Sequence, residues 1–353
     1  MSACFDVIDG GMGNTIQDEG RYGFRHQGVP VSGWLDAHMA HAANALVGNP
    51  LHAACLEIRG LGPKLQLRQG QTRVALAGDI TATLTRASGL RQVLAPWCAF
   101  TMQAGDTLHI GAANDGCAYL ASASGWQVQA SMGSAATYAR VGLGGIHGRA
   151  LQNGDTLSNG DSGAQHHEPS KKALQAWTYA DEPMRVMLGP QSDHFTPEAL
   201  ETLFSSNWQT TRAQDRMGVR LSGPRLAHIH AQASDIVSDG IAPGAIQVPG
   251  DGQPIVLLAD CQTMGGYPKI ATVISADLPR WAHLPPERVV RFVEVDAHEA
   301  HQALLAQQQL WHAWLTQIRP YAEAGWLDVD ALNQSNLIDG MIHALDPSQW
   351  SKA

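Results

Sequence analysis

The spacing of turn signals constrains this chain more than any other feature. Gly, Asp, Asn and Pro interrupt short runs rich in Val, Ile, Leu and Thr, as in "TRVALAGDITATLTR", "DTLHIGAANDGCAYLASA" and "QPIVLLAD". Such punctuation defines strands. It recurs too closely to leave room for the crossover helices that join parallel neighbours, so antiparallel sandwiches or barrels are expected rather than a doubly wound sheet. Three helices stand apart. In "LDAHMAHAANALVGNP" Asp36 is placed to cap, Leu35, Met39, Ala43 and Leu46 share a face, and Gly48 and Pro50 end the run. "TPEALETLFSSNW" has Thr196 as cap, Pro197 at the first helical position and Glu198 in the first turn. From about 297, "AHEAHQALLAQQQLWHAWLTQI" carries Ala, Leu and Trp at helical spacing, and a further helical piece follows in "DVDALNQSNLIDGMIHAL".

At 353 residues the chain can bury two cores. The turn-rich stretch "SNGDSGAQHHEPSKKALQAWTYADEP" reads as the connection between two β-rich halves. The expected organisation is therefore mainly β with a few helices: an N-terminal β-domain over 1–165, a linker over 166–183, a C-terminal β-domain over 184–297 and a helical tail over 298–353. Net charge is −9 with no basic stripe, which argues against a nucleic-acid partner. The first residues lack a basic start and an apolar stretch, and no apolar run is long enough for a membrane, so a cytoplasmic protein without a membrane partner is expected. Cys4, Cys55, Cys98, Cys117 and Cys261 are odd in number and lack C-x-x-C spacing, which indicates neither a disulfide framework nor a zinc site.

Several strings imitate chemistry. "GDSG" at 160–163 matches a serine-nucleophile motif but sits in the polar connection without an evident base, and reads as a turn. "GLGGIHG" at 142–148 puts His147 where a dinucleotide loop needs its third glycine. No P-loop string occurs. His228 with His230, and His298 with His301, each share a face but lack a third ligand, so no metal is expected. Trp311 and Trp314 read as packing residues.

Two stretches break local rules. In "NTIQDEGRYGFRHQGVPVSGWLDAH", Gln17, Asp18, Arg21, Arg25 and His26 crowd between glycines, the pattern of a binding loop or of an ion-pair network such as Asp18 with Arg21. Glu57, on the apolar strand "ACLEI", needs a buried partner, and an arginine such as Arg21 would serve. The second stretch is "ADCQTMGGYPKIATV", 259–273, between strands expected at 255–260 and 270–275. A plain hairpin would use a minimal turn. Here Gly265 and Gly266 permit positive φ, so their N–H groups could converge on an anion or a polarised carbonyl. Tyr267 is held extended by Pro268, and Lys269 adds a cation where the chain otherwise has only Lys64, Lys171, Lys172 and Lys352. Lys269 and Tyr267 are accordingly candidate catalytic residues.

The strings "TIQDEGRYG", "GVPVSG", "ANALVGNP", "RALQNGD", "DRMGVRL", "PGAIQVPGDGQPIVLLAD" and "GGYPKIATVISADLP" resemble the family of allophanate hydrolase subunit 2-like proteins, KipI antagonists and 5-oxoprolinase C subunits, also described as biotin-dependent carboxyltransferases. The resemblance runs from about 7 to about 295. It implies two cyclophilin-like β-barrel domains. It also implies one component of an enzyme that, with a KipI-like B component and an A component, opens 5-oxo-L-proline to L-glutamate at the expense of ATP, held by this chain or a partner. In the related urea carboxylase, the domain moves a carboxyl group from carboxybiotin to urea. A third possibility is a non-catalytic antagonist of a KipI-like kinase inhibitor. The resemblance makes Asp239 a general-base or positioning residue, Gln247 and Gln262 readers of an amide, and Arg216 an anion clamp, beside Gln17, Asp18 and Arg21 of the first loop. It is broken at Trp34 and Leu35, and the tail after about 321 has the character of an addition. No biotinyl-lysine "MKM" string occurs, so biotin would arrive on another chain.

Overall fold

The computed structural model describes residues 2–114, 116–161, 169–321 and 323. In the first half, six antiparallel strands lie in the order Thr156–Asp161, Ser2–Asp9, Lys64–Gln69, Thr107–Ala113, Ile80–Thr85, Arg91–Leu94. A second sheet of seven runs Thr15–Gln17, Cys55–Ile58, Ala118–Ser122, Gln71–Ala77, Cys98–Gln103, Ser170–Ala173, Ile318–Tyr321. Phe5, Leu65, Leu67, Val74, Leu76, Phe100, Leu108 and Leu120 fill the space between the sheets.

The second sheet is buried on both faces, and the pleat shows how. Val74 and Leu76 point into the barrel while Ala75 and Ala77 point out, and Leu120 and Ala121 divide likewise. The outward side chains are small, so helix α1 (Ala37–Val47) can lay Ala40, Ala43 and Leu46 directly on the sheet. As the sequence indicates, Asp36 caps α1 by accepting from the N–H groups of His38 and Met39, and Gly48 ends it at φ 80°.

The second half is an eight-stranded sheet in the order Val289–Val290, Trp208–Gln214, Gly218–Ser222, Ile255–Leu257, Ala245–Gln247, Lys269–Val273, Met184–Leu188, Phe292–Glu294. Val290 and Phe292 sit on opposite edges with one residue between them. The sheet must therefore roll up until its edges meet, giving a nearly closed barrel around Val186, Val219, Leu221, Ile246, Val256 and Ile270. Helix α2 (Pro197–Ser205) is capped by Thr196, and helix α3 (Ala297–Leu315) by a reciprocal pair, Asp296 and Glu299. The expectation of a mainly β chain with two barrel units and a few helices holds.

Three details differ from the sequence reading. The strands Ile255–Leu257 and Lys269–Val273 do not pair with each other; Ala245–Gln247 lies between them, so 258–268 is a crossover rather than a hairpin loop. The stretch taken as linker contains the strand Ser170–Ala173. The tail contains a strand as well: after α3 the chain turns back and Ile318–Tyr321 pairs with Ser170–Ala173, extending the first half's sheet. Trp311 and Trp314 of α3 do pack, against Trp177 and Trp97 at centroid distances of 5.3 and 5.6 Å. The helical piece read in "DVDALNQSNLIDGMIHAL" lies outside the described residues.

The two halves meet tightly. At Gly116, φ +88°, an added Cβ would lie 2.0 Å from the Ala282 carbonyl oxygen, whereas at Gly13, φ +74°, it would meet nothing. Gly116→Ala is expected to lower the urea midpoint by the equivalent of about 2 to 4 kcal/mol, against about 1 to 2 kcal/mol for Gly13→Ala. Equal losses would show that the seam yields.

Candidate functional site

The crossover 258–268 and the start of the next strand hold the candidate site. The strand Lys269–Val273 pairs with Ala245–Gln247 through a bulge, Ala271 opposite Ile246 but Lys269 opposite Gln247. The bulge frees the Lys269 main-chain N–H, which donates to Gln191 Oε1 at 3.2 Å. The Lys269 side chain is only 5% exposed, and its ammonium donates to Asp239 Oδ2 at 2.8 Å. Asp239 sits on a separate two-stranded ribbon, Asp239–Gly240 with Met264–Gly265, directly opposite Gly265. Lys269, the Gly240 N–H and the Gln191 amide hold the Asp239 carboxyl below its ordinary pKa.

The glutamines lie on the other side of Gly265. Gln262 Nε2 donates to Gln247 Oε1 at 3.3 Å, and Gln247 Nε2 to the Tyr267 carbonyl at 3.4 Å. A Cβ on Gly265 would fall 2.8 Å from Gln247 Nε2 and 2.5 Å from Ile241 Cδ1, so any larger residue would push those two side chains aside. Gly265 thus serves by close approach. Neither it nor Gly266 takes positive φ, which corrects the expectation of a left-handed donor nest; Gly266 contributes its carbonyl, accepting from Ile236 N–H at 2.8 Å. Tyr267 is 42% exposed, and Met264 and Val237 are exposed as well.

The first loop plays a different part. Asp18 accepts from the N–H groups of Gly20 and Ala135 and from Ser134 Oγ, not from Arg21. Arg21 is 1% exposed and donates to the carbonyls of Ala136 and Ser131, while Gln17 donates to Thr15 Oγ1 and the Thr137 carbonyl. All three residues fasten the loop to 131–137 within the first half, away from Lys269. The neighbouring Arg25 crosses the seam instead and donates to the Ile241 carbonyl, two residues from Asp239.

Arg216 is likewise turned inward, because buried carboxylates claim its donors before any ligand could. It donates to Asp260 through Nε and Nη2, to Glu57 through Nη1 at 2.5 Å and to the Gly33 carbonyl. The partner of Glu57 is thus Arg216 and not Arg21. Burial opposes the Arg216 charge, yet Glu57 and Asp260 hold its pKa above the usual value. From Glu57 the network continues: Tyr119 OH donates to Oε2 at 2.7 Å and accepts from Asp36 N–H, and Asp36 takes Tyr179 OH at 2.8 Å and His283 Nε2 at 2.7 Å. Burial works against a charged His283 ring, but Cys117 and Asp36 reverse this and raise its pKa well above 6.5. Since burial also pushes up the Cys117 thiol, Asp36 carries the pairing.

Lys269 and Asp239, which the sequence reading singled out, are in contact, as are Gln247 and Gln262; Gln191 was not among its candidates, since it lies 78 residues from Lys269 in a "GPQ" turn that carries no local signal. It also read Asp36 only as a cap. Among the described residues no group of three or more His, Cys, Asp or Glu is arranged to hold a metal, and no helix is long and apolar enough to cross a membrane.

The chain is thus built of two barrels joined through buried ion pairs, with an ammonium, a carboxylate and two linked amides gathered at a crossover of the second. The chain belongs to the family described as carboxyltransferase domain, subdomain A and B, which matches residues 27–294. It is 36% identical to the 5-oxoprolinase C subunit of Escherichia coli over 87% of this chain and 97% of that one. To the Haemophilus influenzae protein of the same name it is 32% identical over 84% and 92%. A urea amidolyase of Lachancea kluyveri is 31% identical over 84% of this chain, which spans 17% of that protein. The crystal structure of Kluyveromyces lactis urea carboxylase superposes with a TM-score of 0.77 at 27% identity, covering 91% of this chain and 30% of that one.

The raised His283 pKa has a signed consequence. Above pH 6.5 the folded chain keeps a proton that the unfolded chain has lost, so this pair's contribution is complete below 6.5 and fades as pH rises through the folded value. Urea stability is expected to fall by up to about 1.4 kcal/mol per pH unit in that window, and His283→Gln to remove the slope. Parallel curves for the two proteins would contradict the pairing.

Proposed function

We propose that this chain is one component of an ATP-dependent 5-oxoprolinase-type amidohydrolase, acting in the cytoplasm with a KipI-like B component and an A component to open 5-oxo-L-proline to L-glutamate. The reading is carried by one observation: a nearly buried Lys269 ammonium, held by Asp239 at 2.8 Å, beside two linked amides across Gly265. Identity to proteins named as 5-oxoprolinase C subunits over nearly their whole length supports it.

In this scheme the lactam carbonyl takes a hydrogen bond from Lys269, whose positive charge offsets the negative charge that develops on oxygen as water adds to the carbonyl carbon; collapse of that adduct breaks the C–N bond, and the ring nitrogen leaves as the amine after taking a proton that the attacking water gives up. Asp239 orients the ammonium and stays ionised, its pKa lowered. Gln262 and Gln247 read the lactam edge, Gly265 lets them approach, and Tyr267 borders the entrance. Arg216 holds the two halves together, and Asp18, Arg21 and Gln17 fasten the first loop within its own half. A triphosphate does not fit these donors, since the one ammonium is already paired with a carboxylate; ATP is therefore assigned to a partner protein, where it supplies the driving force for ring opening. The chain divides into residues 1–165, 166–183, 184–297 and 298–353, with the second and last segments each giving a strand to the sheet of the first.

The second reading, a carboxyltransferase component acting on urea or a similar amide, is favoured by the urea amidolyase relatives; carboxybiotin would then come on another chain. Co-expression with the other components decides between them. ATP-dependent glutamate formation supports the first, carboxybiotin-dependent carboxylation the second, and binding of the KipI-like chain without turnover an antagonist. In the assembled complex Lys269→Ala is expected to lower kcat by about a hundredfold or more, with complex formation and melting temperature retained. Normal kcat in that variant would end the assignment.

A further inference from the structure

We infer that Gln191 is a positioning residue that clamps Asp239 onto Lys269; the inference builds on the catalytic reading of that pair. The Gln191 side chain bonds both members. Its Oε1 accepts from the Lys269 main-chain N–H at 3.2 Å, and its Nε2 donates to Asp239 Oδ2 at 3.1 Å, the same oxygen that accepts from the Lys269 ammonium at 2.8 Å. A three-point ring results, closed through the lysine's own backbone.

Both ends of the clamp are built in. Gly189 N–H donates to the Ile270 carbonyl at 2.8 Å, and a Cβ at Gly189 would lie 2.1 Å from the Lys269 carbonyl oxygen, so the turn is pressed on the bulge where Lys269 begins its strand. On its other side Gln191 opens the short turn Ser192–His194, with the His194 N–H donating to the Gln191 carbonyl. Its backbone is thereby fixed on the barrel. Asp239 has no such footing: its side chain is 52% exposed, on a ribbon of two residues per strand. Without the Gln191 amide, the carboxylate's remaining ties are its own neighbour Gly240 and the lysine it is meant to orient. An exposed carboxylate with freedom to swing is a poor partner for a buried ammonium, because solvent competes for it and its rotamers must be frozen for each encounter.

Competitive acylation with acetic anhydride across the alkaline range, read by peptide mass spectrometry, tests this on the intact protein without any assay of turnover. Lys64 and Lys172 serve as internal standards. Two variants divide the two bonds: Gln191→Met removes both, while Gln191→Glu keeps the acceptor for the Lys269 N–H and exchanges the donor to Asp239 for a carboxylate oxygen that repels it. Both are expected to raise the acylation rate of Lys269 at pH 8 by about fivefold relative to the standards, approaching Asp239→Asn, and to lower kcat in the assembled complex by about tenfold with KM changed less than twofold. Wild-type labelling in both variants would overturn the inference. So would full recovery of labelling and kcat in Gln191→Glu, which would reduce Gln191 to a backbone support. If Lys269→Ala retained normal turnover, the catalytic reading would fail while the labelling result still reported on the clamp.

Discussion

A single arginine between two carboxylates, all inside the protein, governs how this molecule is put together. Arg216 comes from the second half, Glu57 from the first, and the guanidinium also takes Asp260 and the Gly33 carbonyl. Removing such charges from water costs several kcal/mol per ion, recovered only where geometry is good and every donor is used. That requirement fixes the relative position of the barrels to within hydrogen-bond tolerance. It also explains why the polar network does not stop at Glu57 but runs through Tyr119 to Asp36, Tyr179 and His283: each buried acceptor must be answered. The candidate site depends on this lock indirectly, since Arg25 of the first half reaches Ile241, close to the ribbon that carries Asp239.

The site itself follows a different logic. Where the seam uses charge to hold protein to protein, the nearly buried Lys269 is paired with a carboxylate that is half exposed. Its carboxylate partner can therefore be reached from solvent, as Glu57 and Asp260 cannot. The two cations thus differ in the burial of the carboxylates that hold them. Arg216 illustrates the point: the resemblance made it an anion clamp, but its carboxylates claim it first.

Much of the fold was legible because it rests on short-range rules. Asp36 and Thr196 cap helices where backbone N–H groups need acceptors, and turn residues between short apolar runs marked the strands. Gly265, Tyr267 and Lys269 were visible for the same reason: glycines, a proline and a scarce lysine in one loop violate what a plain turn needs. Partner identity was not legible. Glu57 announced that it needed a cation, but nothing local chose Arg216, 159 residues away, over Arg21. Gln191 has no pattern at all, and its role exists only once a bulge frees the Lys269 N–H. Gly266 misled because permission for positive φ is not an obligation to adopt it.

The strand Ile318–Tyr321 carries a consequence for biosynthesis. It completes a sheet whose other members lie between Thr15 and Ala173, with Tyr321 OH donating to the Ala99 carbonyl and Trp314 set edge-on against Trp177 of the intervening chain. During translation the amino-terminal barrel leaves the ribosome with that edge bare, and it stays bare until the whole carboxy-terminal barrel and its long helix have been made. An unpaired edge is an invitation to the wrong neighbour. The order of synthesis thus makes the second barrel a precondition for finishing the first, and the nascent chain is most vulnerable to mispairing in the interval between them.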